Sequence, residues 1–127
     1  MTSERSEQIA LVHYLEILKK QKKILTFYAI PNGGTRHKLE AINLLREGMR
    51  AGVSDMCVIG LEKILYIEMK KAPKVLKSGN LSYSGISVSD KQKAFIETVE
   101  LNPNIVAKVC YGFKEAKEFV DKEIIWP

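Results

Sequence analysis

At 127 residues, 46% of them hydrophobic and 28% charged, the chain has the composition of an ordinary globular protein and the length of one domain, 1–127, with room for a sizeable core. No apolar run approaches the roughly 18 residues of a membrane span, and the start Met-Thr-Ser-Glu-Arg-Ser-Glu lacks the apolar segment of a signal peptide, so a cytoplasmic protein is expected. The net charge of +5 favours an anionic partner, nucleic acid being the commonest, although many small domains are mildly basic without one.

The first predicted element is a helix from about Glu4 to Lys20. Leu11, Leu15 and Leu18 share one face at helical spacing with Glu4, Glu7 and Gln8. Ser3 can cap it, its acidic first turn suits the positive end of the helix dipole, and Lys19, Lys20, Lys22 and Lys23 suit the negative end. Ile24–Ile30 is a strand candidate, stopped by Pro31-Asn32-Gly33-Gly34, which is loop chemistry. Thr35 can cap a second helix running to about Glu47, with Ala41, Leu44 and Leu45 as its apolar stripe and Gly48 at the terminal glycine position.

Met56–Ile59 and Ile64–Ile67 are short apolar runs on either side of Gly60-Leu61-Glu62-Lys63, the pattern of a β-hairpin. Ala72–Val88 is rich in Ser, Gly and Lys, and Pro73 opposes a regular strand. It reads as a mobile loop with a short extended piece near Leu81–Tyr83. Ser89 opens a helix to about Leu101 whose Phe95, Ile96 and Val99 face inward, and Asn102-Pro103-Asn104 breaks it. Ile105–Cys110 is a further strand and Lys114–Lys122 a closing helix buried on Ala116, Phe119 and Val120. Cys57 and Cys110 lie in apolar strand runs, which suits buried free thiols in a reducing compartment; with His13 and His37 they show no zinc spacing. The order αβαββαβα gives an α/β fold with a mixed sheet of about four strands and helices on both faces.

The chemistry gathers at the open end of the hairpin. Glu68 and Lys70, two apart on one strand, project to the same face, and a hairpin brings Asp55, at the start of its first strand, beside them. Two converging carboxylates make the hard-oxygen pocket that Mg²⁺ or Mn²⁺ prefers, with the backbone carbonyl of Met69 able to complete it. Such an ion polarises a phosphoryl oxygen, and Lys70 can orient water or stabilise the charge that develops on phosphorus. The competing reading is a set of ordinary solvated strand ends, since Glu-x-Lys alone recurs by chance.

Ile-Pro-Asn-Gly-Gly-Thr-Arg at 30–36, then Ala41, Gly48, Gly-Val-Ser-Asp at 52–55, Ile-Glu-Met-Lys at 67–70 and Ser-Asp-Lys-Gln at 89–92 together resemble the VRR-NUC (virus-type replication-repair nuclease) family. That family is a branch of the PD-(D/E)xK nucleases. The resemblance runs from the first helix to the last strand in motif order and departs at Ser54, where the family usually has Pro; the change removes rigidity and no ligand. It implies a restriction-endonuclease-like fold and a Mg²⁺- or Mn²⁺-dependent DNA endonuclease of phage or bacterial origin, working in the bacterial cytoplasm. The implied substrate is branched, flapped or Holliday-junction DNA, and the implied state is a homodimer. By that resemblance Asp55 and Glu68 are metal ligands, Lys70 is the catalytic lysine, and an acid of the first helix, Glu7 or Glu4, approaches the metal. Glu7 is preferred because Glu4 lies in a first turn prone to fray. The other acid complements the helix dipole. Gln92 belongs to the active site by resemblance, but Ser89-x-x-Gln92 is also a capping box. Asn32, Gly33 and Gly34 could offer amides to a phosphate, with Arg36 and His37 beside them; Lys71, Lys74 and Lys77 leave the catalytic strand as candidate DNA contacts. The alternative is a catalytically decayed DNA-binding module of the same fold.

Overall fold

The computed structural model describes residues 3–31 and 38–125. Its first helix, α1 (Glu4–Lys20), begins at Ser3, whose Oγ accepts from the Ser6 N–H at 3.1 Å while Ser6 Oγ accepts from the Ser3 N–H at 3.0 Å. Leu11, Leu15 and Leu18 are buried, as their spacing requires. Then follow β1 (Thr26–Ala29), α2 (Lys38–Arg46), β2 (Met56–Ile59) and β3 (Ile64–Lys70). The turn between β2 and β3 closes with the Gly60 N–H on the Lys63 carbonyl at 2.8 Å.

The segment expected to be a mobile loop is partly paired: β4 (Lys74–Val75) and β5 (Leu81–Ser82) form an antiparallel ribbon with Lys74 opposite Ser82 and Val75 opposite Leu81. Pro73 does not prevent this, because it precedes the pairing and its missing N–H interrupts no ladder. Leu76 donates to the Asn80 carbonyl at 2.8 Å, and Gly79, at φ +86°, lets the tip turn. After the ribbon come α3 (Asp90–Val99), β6 (Ile105–Tyr111) and α4 (Phe113–Val120), which runs into a π-helical turn over Asp121–Ile125.

Strands β1, β2, β3 and β6 form one mixed sheet in that order, antiparallel except for the parallel β3–β6 pair. The fold is therefore α/β with helices on both faces. Leu65, Ile67 and Met69 face α1 and α4 and share a core with Leu11, Leu15, Met56, Ala116 and Val120. The alternate residue Tyr66 faces α3, its ring edge-on to Phe95 at 5.1 Å. Asp121 fastens α4 to α1: it accepts from the Tyr14 hydroxyl and pairs with Lys117 at 2.7 Å, and the Lys117 ammonium lies 4.9 Å over the Tyr14 ring. On the outer edge of β6, Glu100 Oε2 accepts from the Ala107 N–H at 3.2 Å.

Two helices are less buried than their stripes suggest. In α2, Ala41 and Leu44 are half-buried but Leu45 is exposed, as are Leu39 and Ile42. In α3, Phe95, Ile96 and Val99 are half-buried. Cys57 and Cys110 are free and buried, as expected of strand thiols. Among the described residues no helix is long and apolar enough to cross a membrane.

Candidate functional site

The hairpin register sets the site. Met56 lies opposite Ile67, so one step further places Asp55 opposite Glu68, at the end of the hairpin away from its turn. The Asp55 carbonyl accepts from the Ile30 N–H at 2.7 Å, which continues the β1–β2 ladder and fixes its backbone. Its side chain reaches across to β3, where Oδ2 accepts from the Met69 N–H at 2.7 Å. The N–H and C=O of one strand residue point to the same side, so the Met69 carbonyl also faces the Asp55 side.

Glu68 is 3% exposed. Burial first, then the hydrogen bond and charge of Asp55, push its carboxyl up to about 9; Lys70 opposes the shift and Glu4 adds to it. The Glu68 carboxyl therefore holds its proton at neutral pH. Lys70 is half-buried on the same face and forms no ion pair among the described residues. The hairpin thus brings Asp55, Glu68 and Lys70 together, as its pattern predicts. Among the described residues no group of three or more His, Cys, Asp or Glu is placed to hold an ion.

The helix acids part company. Glu7 Oε1 accepts from the Phe113 N–H at 2.7 Å and caps α4, whose preceding Gly112 brings no side-chain cap. Gly112, at φ +95°, is needed there, since a Cβ would stand 3.0 Å from that Oε1 and 2.9 Å from the Ala72 Cβ. Glu4 is the helix acid whose charge reaches Glu68, from an exposed position. Replacing Glu7 by Ala should cost about 1–2 kcal/mol of stability by uncapping α4, whereas Glu4→Ala stays within about 0.5 kcal/mol in chemical denaturation.

No family model, curated protein or solved structure matches the chain.

Gln92 is committed to its helix: Oε1 accepts from the Ser89 N–H at 2.9 Å and Ser89 Oγ accepts from the Gln92 N–H at 3.1 Å, the reciprocal box that its spacing spells. The first turn of α3 is still held against the Asp55 loop, because Gly52 packs on the Lys91 backbone. A Cβ on Gly52, at φ +87°, would lie 2.5 Å from the Lys91 carbonyl carbon and oxygen. Gly52→Ala should lower stability by about 2 kcal/mol or more, combining left-handed strain with a backbone clash, a thermal-melting shift of roughly 6 °C or more.

Lys71, Lys74 and Lys77 are exposed along the segment that leaves β3. Asn32, Gly33, Gly34, Arg36 and His37 lie outside the described residues. Two further features lie near the site. Ser54 is 1% exposed and its hydroxyl has no partner among the described residues. Strand alternation, which puts Ser54 on the Met56 and Val58 side of the sheet, is the signal that would have found it. Tyr83 packs edge-on against Tyr111 at 4.9 Å, folding the ribbon back onto β6; two tyrosines this far apart in sequence give no local sign of the contact.

Proposed function

We propose that this chain is a divalent-metal-dependent DNA endonuclease of restriction-endonuclease-like fold, acting on branched DNA. The observation that carries the reading is Asp55 set opposite the buried Glu68 across the hairpin, with Lys70 two residues on and in no ion pair among the described residues. A buried carboxyl facing a second, half-buried one is the donor chemistry that suits a hard cation. Asp55, Glu68 and the Met69 carbonyl would hold Mg²⁺ or Mn²⁺, which when bound supplies Lewis-acid stabilisation to a phosphate oxygen. Asp55 is held in place by the Met69 N–H on its Oδ2. Lys70 brings a mobile ammonium to the same face, where it orients the attacking water and offsets negative charge at phosphorus. Glu4, not Glu7, is the helix acid available to this site, since Glu7 serves α4. The exposed Lys71, Lys74 and Lys77 supply phosphate contacts without reading bases. A homodimer enlarges the basic surface offered to a branched duplex.

The test is cleavage of duplex, flap and four-way-junction DNA with Mg²⁺ or Mn²⁺. Cleavage is expected with either ion and on branched substrates first; activity that survives EDTA overturns the reading. The alternative is a catalytically decayed DNA-binding module of the same fold. It predicts DNA binding with no cleavage, and no Mn²⁺ uptake that depends on Asp55 and Glu68.

A further inference from the structure

The ribbon and the groove beneath it lie where β3 leaves the candidate site. Tyr111 pairs with Lys70 in the β3–β6 register, and Tyr83 packs on Tyr111, so the ribbon is anchored beside the catalytic strand. Between the ribbon and the strand end is a groove of about 670 Å³, lined by Lys71 and Lys74, the hydroxyl residues Ser82 and Ser84, and apolar Val75 and Ile86. That volume suits a small organic ligand and is too small for a base-paired duplex. The ribbon also holds apolar side chains open to solvent: Val75, in the groove lining, is 73% exposed, and Leu81, directly opposite, and Leu76, neither of them in that lining, are 52% and 48% exposed. Apolar residues grouped on a lysine-bearing ribbon have the character of a wedge set against a base-pair face, with cations for the flanking phosphates.

We infer that the ribbon selects DNA with an unpaired strand: its apolar tip abuts the last base pair, and the groove takes the single strand leaving it, bases on Val75 and Ile86 and phosphates on Lys71 and Lys74. The charge of the groove and its size decide for a single nucleic-acid strand over a duplex. This rests on the nuclease reading and names the substrate feature that the same site requires.

Binding is measured without cleavage, in EDTA at low salt, by fluorescence anisotropy of a labelled oligothymidylate and of a blunt duplex hairpin. The proteins are wild type, Lys74→Glu, Val75→Ser and, as a charge control at the other end of the sheet, Lys23→Glu; all three positions are exposed. Lys74→Glu should weaken oligothymidylate binding by ~10-fold or more and Val75→Ser by ~3-fold, while Lys23→Glu changes it by less than ~2-fold. Equal losses in Lys74→Glu and Lys23→Glu, tighter binding of the duplex than of the single strand, or no binding at all would overturn the inference. Ribbon-dependent binding in a protein that never cleaves removes the nuclease reading and leaves this one. Cleavage indifferent to Lys74 and Val75 does the reverse.

Discussion

Lys70→Ala is expected to bind branched DNA about as tightly as the wild type and to cleave it ~10²–10⁴-fold more slowly, the range for removing a group that orients water or offsets transition-state charge. Lys70 is half-buried and makes no ion pair among the described residues, so its loss breaks no direct contact, although it removes the charge that opposes the upward shift of Glu68. Single-turnover rates with saturating Mn²⁺, set beside anisotropy in EDTA, separate the two quantities. Parallel loss of binding and cleavage would make Lys70 a phosphate contact and remove it from the chemistry. Asp55→Asn is the matching ligand variant. Its amide oxygen can keep the Met69 N–H bond, whereas Asp55→Ala would strand a buried donor at a cost of about 1–3 kcal/mol and confuse folding with catalysis.

The second large effect is on the stability of the metal-free protein. In the folded chain Glu68 is raised to about 9 from its ordinary 4.5, by burial and by Asp55. A raised acid binds its proton more tightly folded than unfolded. Its favourable contribution is therefore fully present below about 4.5 and is lost as pH rises towards 9. Melting temperature in EDTA should fall across that window. Glu68→Gln should flatten the fall, because a neutral amide can donate to Asp55 and never ionises. At pH 8 the variant is expected to melt at least ~5 °C above wild type, a gain of roughly 1–2 kcal/mol, and at pH 5 to show little gain. Mn²⁺ should raise the wild-type melting temperature at pH 8 and leave Glu68→Gln nearly unmoved. A wild-type melting curve independent of pH between 5 and 9 would show that the acids do not meet as described.

Local rules carried most of this fold. The α1 stripe, its Ser3 cap and the β2–β3 hairpin were legible because period and turn chemistry agree there with what the core requires. The register of Asp55 against Glu68 follows from the hairpin alone. The ribbon was illegible: two-residue strands carry almost no periodicity, and the long-range Tyr83–Tyr111 contact anchors them. Glu7 shows the same limit. Its spacing put it on the inward face, but only the fold brings the bare start of α4, 106 residues along the chain, within reach of its carboxylate. For Gln92 the local signal was the stronger guide, since the capping box it spells has formed.

Glu100 does more than end α3. Strand β6 is seven residues long, mostly apolar, and borders the sheet, the arrangement that invites another chain to add a strand. By taking the Ala107 amide, the Glu100 carboxylate puts a charge and an occupied donor in the middle of that border. One side chain remote from the acids thus guards the border of the sheet against the addition of a further strand.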